Sequence, residues 1–482
     1  MSIKQKAMQG VKWTALSSGV LAFFQLVQLM VLARYLTPHD FGLIAILGVI
    51  TSFSQLFVDF GLSKSIIYKQ SVTNEQLSSL YWFNVLVALF IYCVILISSS
   101  FIAEFYHESS LSLYINLMST ILIIQSFGQQ FRTLFQKELY FNILAKLDIF
   151  SVIISFFTLI VLILYNVGIM AFIVATIVMV AMRTILLIIN GIKYHKPQFV
   201  FNLFEIKEFL RFGLFSVGND IISTITGHLD VIIIGKLLGT ESLGIYNIMK
   251  ELILRPAQLI NPIITKVSFP TMAKFNHDLL QVKKIYLKVI NYVASINFPI
   301  YIISIIFAQE LVDIFLGEKW LPYISIFQIL AIWALFRSIG NPVGSLIMAL
   351  GKPHIEMYWN MLMVLYIPIQ VYISSYWGII GIAWGNVFNI FFLFIPGWYF
   401  LLYKVGNIYL REYIYSFTIP LGLSFIFGLI TYLLVFLFTN IFYKLFFLVI
   451  GIVCLIILYK KYNYEVYNLL MQMFYIKKDN DN

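Results

Sequence analysis

The chain is poor in charge. Asp, Glu, Lys and Arg make up 11% of its 482 residues, against about 25% in a soluble domain. So few charges cannot cover the water-facing surface of a protein this long, which excludes a soluble enzyme and a disordered tail. Cysteine is almost missing: Cys93 and Cys454 both sit inside apolar runs, so there is no disulfide framework of a secreted scaffold. The chain has no GxxxxGK[ST] phosphate loop, no HExxH, no CxxC and no zinc spacing, and its six histidines are scattered. ATP hydrolysis, a metal and a cofactor are therefore not expected.

What is present is hydrophobicity: 61% apolar residues, 17% aromatics and a mean hydropathy of +0.91. A membrane-spanning helix needs roughly 20 mostly apolar residues. Such stretches run over 11–33, 41–63, 80–102, 111–136, 142–165, 168–190, 207–234, 243–267, 286–308, 321–349, 355–377, 379–402, 414–438 and 443–460. The expectation is an all-α polytopic membrane protein with fourteen spans. The runs lack the alternation of a β-barrel. The first is too long for a signal peptide and is expected to remain as a helix. Trp13, Trp320, Trp377 and Trp398 fall near span ends and read as interfacial belts.

Orientation follows from Lys and Arg. With the N-terminus inside, 24 of the 32 cations fall on inner segments, and both termini lie in the cytoplasm. The formal charge of +10 is thus mostly topological and needs no nucleic acid partner. The outer links look too short for the loop or domain with paired carboxylates that a membrane glycosyltransferase or polymerase presents. Glu104/Glu108 and Glu310/Asp313/Glu318, the outer acidic groups, read as ordinary solvated loops, so an enzyme is not expected.

The end of the first span reads Ala33-Arg34-Tyr35-Leu36-Thr37-Pro38-His39-Asp40-Phe41-Gly42-Leu43-Ile44. The end of the seventh reads Gly235-Lys236-Leu237-Leu238-Gly239-Thr240-Glu241-Ser242-Leu243-Gly244-Ile245-Tyr246, at a constant offset of 202. A cation, a short polar turn, then Phe or Leu followed by Gly occurs in both. Six spans per half keep the halves in one orientation, which makes a parallel repeat about an axis along the membrane normal. The expected division is a six-helix lobe over 1–200, a second over 201–405, and two further helices and a tail over 406–482.

The repeat edges carry a resemblance. Residues Ala33–Gly42, Asp59-Phe60-Gly61-Leu62, Asp230 with Ile234–Gly239, Arg255–Val267 ending in Phe269-Pro270, and Trp320-Leu321-Pro322 with Arg337–Ser345 resemble the Wzx-type polysaccharide exporters of the MOP flippase superfamily. The likeness is to colanic-acid, capsule and O-antigen exporters of bacteria. It implies a flippase of the bacterial inner membrane that moves undecaprenyl-pyrophosphate-linked oligosaccharide from the cytoplasmic to the periplasmic leaflet by alternating access. It also implies pathway partners, a polymerase and a chain-length regulator. A coupling ion, H+ or Na+, is a further candidate partner, and a competing reading is an ion-coupled multidrug antiporter of the same superfamily.

Ionisable residues inside a span are functional hypotheses by default. Arg255 lies roughly 18 Å into the eighth span, with Lys250 and Glu251 outward of it. Arg255 and Lys250 are candidate pyrophosphate contacts, since a guanidinium fork matches phosphate oxygens. The alternative is a Glu251–Arg255 bridge that only orders the helix. Arg337 is a third candidate; alternatively it satisfies a carbonyl freed by Asn341-Pro342. Arg183 reads as able to snorkel to the inner surface. Asp220 and Asp230 are candidate ion-coupling carboxylates; Asp230 could instead pair with Lys236. Asp59 is expected to pair with Lys64 or Arg132. Gln25 and Gln28 are candidate sugar contacts, or helix–helix hydrogen bonds. Pro256 and Pro262 are candidate hinges, with static curvature as the alternative.

Overall fold

The computed structural model describes residues 3–59, 62–69, 72–436 and 441–468. Its helices are α1 (Ile3–Tyr35), α2 (Pro38–Asp59), α3 (Leu62–Tyr68), α4 (Asn74–Tyr106), α5 (Leu111–Lys137), α6 (Phe141–Leu164), α7 (Met170–Gly191), α8 (Leu203–Lys274) and α9 (Leu279–Ile306). There follow α10 (Ala308–Phe315), a 3-10 turn (Glu318–Tyr323), α11 (Ile324–Ser338), α12 (Val343–Ala349), α13 (Pro353–Ser375) and α14 (Gly378–Gly397). A π-turn (Trp398–Tyr403), α15 (Lys404–Gly406), α16 (Leu410–Phe436) and α17 (Ile441–Tyr462) complete the order. Among the described residues eleven helical stretches are long and apolar enough to cross a membrane. One of them, Asp220–Lys274, holds two of the expected spans. With α13 and α17, the described residues of each of the fourteen expected spans lie largely on helices, the span over 321–349 being divided by a turn between α11 and α12, and the protein is an all-helical polytopic membrane protein.

Each boundary has a local cause. Thr73 caps α4: its hydroxyl accepts from the Gln76 N–H while the Gln76 side chain accepts from the Thr73 N–H, a capping box. Asp278 accepts from the Gln281 N–H at the start of α9. The seventh and eighth spans are two helices within α8, as expected, and the break between them takes a single residue. Gly239, at φ 82° and ψ 170°, adopts a backbone that a side chain would oppose.

The chain packs as two compact units. One gathers the described residues up to Asn247 with Phe315–Gly317 and Asn360–Ser375; the other gathers Ile248–Ile314, Glu318–Trp359 and the described residues from Tyr376 on. In the first unit the link after α7 is strapped to the start of α4. The Trp82 indole donates to the Gln198 carbonyl at 2.8 Å, the Gln198 N–H to Ser78 Oγ at 3.1 Å and the Asn202 N–H to Ser79 Oγ at 3.0 Å. His195 is buried in this strap, and burial holds its imidazole below the ordinary histidine pKa.

The second unit is tied by buried polar pairs. Asn297 donates to the side-chain oxygen of Asn261 at 2.8 Å, both nearly inaccessible, joining α8 to α9 beside Pro262. The Tyr459 hydroxyl of α17 donates to the Ser295 carbonyl of α9 at 2.8 Å. Such interhelical bonds are worth about 0.6 kcal/mol each, with a maximum near 1.7. Trp320 is fully buried, not interfacial: its 3-10 turn folds the indole into the core. Trp377, by contrast, is exposed.

Candidate functional site

The repeat motif places its two glycines against each other. A Cβ on Gly42 would lie 1.9 Å from the Thr240 carbonyl oxygen, and a Cβ on Gly244 1.8 Å from the Pro38 carbonyl oxygen. Pro38 and Thr240 are themselves separated by the repeat offset, so the contact is reciprocal. Only glycine permits backbones this close, and the geometry suits Cα–H donors facing carbonyls. Phe41 and Leu43 on one side, and Leu243 and Ile245 on the other, are buried around the crossing.

Glu108 closes the same corner. Its Oε1 accepts from the Thr240 hydroxyl at 2.6 Å and lies 2.7 Å from His39 Nε2. One carboxylate therefore joins the starts of α2 and α5 to the second half of α8. Its side chain is only 21% exposed, so it is not the ordinary solvated loop acid expected from sequence. Glu310 departs likewise: it is largely buried and pairs with Lys444. Partners 132 and 134 residues distant give no local signal.

A buried triad was not legible as one. Asp148 of α6, 7% exposed, receives the Arg132 fork of α5 at 2.9 and 3.0 Å, and Arg183 Nε of α7 lies 2.9 Å from its Oδ1. Arg183 thus turns inward rather than snorkelling, because a carboxylate this deep needs compensating charge. Arg132 is engaged here too, while the side chains of Asp59 and Lys64 lie outside those described. The signal that reveals Asp148 is the general one, a lone carboxylate inside an apolar run.

The candidate cargo contacts lie on separate helices. Arg255 donates from Nη2 to Glu251 at 2.7 Å, the expected i,i+4 pair, with the guanidinium side chain 26% exposed. Lys250 is half-buried one position before Glu251. Arg337 on α11 is exposed and lays its guanidinium over the Trp333 ring at 4.8 Å. It does not serve the carbonyl that Pro342 leaves without a donor. The Asn341 N–H takes the Ser338 oxygen at 3.4 Å and the Gly340 N–H the Arg337 oxygen at 3.0 Å, so the turn satisfies itself.

In the first unit, Asp230 accepts from the Tyr246 hydroxyl at 3.0 Å and not from Lys236. The reversal at Gly239 brings the fully buried Tyr246 back to it. Lys236 instead reaches the end of α4, donating to the Phe105 carbonyl at 2.8 Å, with His107 Nε2 at 3.2 Å. Asp220 is half-buried on α8, while on α1 Gln25 is exposed and Gln28 half-buried. Pro256 and Pro262 lie inside α8, and Thr265 Oγ1 donates to the Asn261 carbonyl at 3.0 Å beside the second of them.

A family described as "Polysaccharide biosynthesis protein" matches residues 31–325. An uncharacterized membrane protein of the cps region of Klebsiella pneumoniae is 33% identical over 423 residues, 87% of each chain. The lipopolysaccharide biosynthesis protein WzxC of Escherichia coli (strain K12) is 31% identical, over 88% of this chain and 86% of its own. The teichuronic acid biosynthesis protein TuaB of Bacillus subtilis (strain 168) is 30% identical, over 88% and 85%. Among solved structures, the lipid II flippase MurJ in an inward closed conformation superposes with a TM-score of 0.76 over 94% of this chain and 99% of that one, at 16% identity. An inward-facing multidrug resistance transporter of the MATE family gives 0.61 over 78% and 93%, at 15% identity. At those identities the two structures speak to the fold alone. The sequence relatives and the matched family go further: the chain belongs to the polysaccharide biosynthesis protein family, as a Wzx-type member.

Proposed function

We propose that the protein moves an undecaprenyl-pyrophosphate-linked oligosaccharide across the bacterial inner membrane, from the cytoplasmic to the periplasmic leaflet, for capsule, O-antigen or exopolysaccharide synthesis. The observation that carries the reading is Arg255, a cation deep in a span of a polysaccharide biosynthesis family member, held by one turn of helix to Glu251. Lys250 and Arg337 add positive charge in the same unit. A fixed guanidinium offers a pyrophosphate a planar, bidentate fork, and mid-membrane cations favour an anionic cargo over a cationic drug. Gln25 and Gln28 serve as sugar contacts. No bond is broken: the head group crosses through protein while the prenyl chain stays in lipid.

The lobes are assigned to 1–200 and 201–405, with 406–482 appended, and both termini in the cytoplasm. Alternating access uses Pro256 and Pro262 as pivots, and Asp220 and Asp230 carry a coupling H+ or Na+. A polymerase and a chain-length regulator receive the product.

The test is flipping of a fluorescent undecaprenyl-pyrophosphate oligosaccharide in proteoliposomes, comparing the wild type with a folded Arg255→Ala variant. Transport lost in the variant supports a cationic head-group site. Transport unchanged makes Arg255 structural. Efflux of a cationic dye without any glycan transport moves the protein to the drug-exporter reading.

A further inference from the structure

Two apolar cavities lie side by side in the first unit, of about 670 and 420 Å³. The first runs along α4 between α2 and α8, with α4 contributing positions from Ile91 to Phe105 at helical spacing. That face is about 21 Å long at 1.5 Å per residue, more than one leaflet of a hydrocarbon core about 30 Å thick. The second lies between α8 and α13. Phe105 and Ile232 line both, so these two side chains form the wall where the cavities adjoin.

Lys236, one helical turn beyond Ile232, lines the second cavity and is exposed. Its ammonium bonds to a backbone carbonyl and an imidazole and sits 4.8 Å from the Phe105 ring centre. No carboxylate among the described residues pairs with it, so its charge is not neutralised, and one of its three hydrogens is uncommitted.

We infer that this is a binding site for one anionic diacyl phospholipid. Its two acyl chains fill the two cavities on either side of the Phe105–Ile232 wall, and its phosphate rests on Lys236. The match is one of counts and charge: two adjoining apolar channels and one unneutralised cation, against two chains and one phosphate. A single prenyl chain leaves one channel empty, and a zwitterionic lipid forfeits net attraction to the cation. The site serves as a lipid anchor for the first unit whatever the cargo, and includes neither Arg255 nor Arg337.

The experiment uses the full chain in phosphatidylcholine vesicles containing phosphatidylglycerol with a photoactivatable acyl chain. Crosslinks are expected on the α4 segment 91–105 and the α8 segment 232–237. Unlabelled phosphatidylglycerol should compete better than phosphatidylcholine by about fivefold, the effect of one lysine at an anionic surface. Lys236→Gln should lose that margin, Lys236→Arg should keep it, and Ile232→Trp, which fills the wall, should abolish labelling while the protein stays folded. Equal competition by phosphatidylcholine, stronger competition by a polyprenyl phosphate, or an unchanged margin in Lys236→Gln would overturn the assignment.

Discussion

Gly42 and Gly244, 202 residues apart and at equivalent positions of the internal repeat, meet backbone to backbone, each facing the carbonyl of the other's strict counterpart partner, Thr240 or Pro38. The repeat is therefore a three-dimensional contact as well as a sequence echo. The glycines recur because two copies of one helix start cross here.

Gly42→Ala and Gly244→Ala should each destabilise the protein by about 1–3 kcal/mol, since the added methyl meets backbone that cannot swing aside. Gly48→Ala on the same helix is the control, with nothing within 4 Å of its Cβ position; it should be neutral or mildly stabilising. Thermal unfolding in detergent checks this. Because the two glycines share one crossing, the double variant should cost less than the sum of the singles. Full additivity would mean that the two sites do not share a contact.

The Arg132–Asp148–Arg183 triad makes a sharper demand. Asp148→Asn leaves two half-buried guanidinium groups without their carboxylate and should cost about 3–5 kcal/mol. Replacing all three residues by Leu or Met should recover much of that loss, because an apolar trio carries no uncompensated charge. Unfolding midpoints of the single and triple variants decide it. A triple variant as weak as Asp148→Asn would show that the triad contributes more than charge balance.

Span positions were legible because a bilayer imposes one simple rule, about 20 apolar residues per crossing, and the fourteen runs obey it. The Glu251–Arg255 pair was legible because helical spacing makes neighbours of i and i+4. Asp148 with Arg132 and Arg183, and Glu108 with His39 and Thr240, were not, since each joins different helices and no periodicity connects them. Arg337 shows a subtler failure. Proline's missing donor was foreseen, but a tight turn supplied Asn341 and Gly340 N–H groups and freed the guanidinium to stack on Trp333.

His195 gives a pH prediction. Its folded pKa is lowered by burial, so the unfolded chain binds a proton that the folded chain excludes. Stability from this group is complete above the ordinary value of about 6.5 and falls as the pH drops below it. His195→Gln should flatten that part of the stability profile between pH 7 and 5, a range set by the ordinary histidine value of about 6.5. An unchanged acid slope in the variant would assign the loss to other groups.

The Glu251–Arg255 pair allows the cargo role to be separated from the structural one. A charge swap, Glu251→Arg with Arg255→Glu, keeps an i,i+4 ion pair on the same face of α8, worth about 0.3–0.5 kcal/mol if exposed. If the pair only orders the helix, the swap should restore both the unfolding midpoint and lipid-linked oligosaccharide flipping relative to Arg255→Ala. If Arg255 meets pyrophosphate, the swap should restore the midpoint while transport stays low, because a carboxylate now occupies the position where the anion must pass. Arg255→Lys then refines the point. A lysine keeps the charge and loses the planar fork, so partial transport is expected from a site that uses charge alone, and nearly none from one that needs two parallel hydrogen bonds.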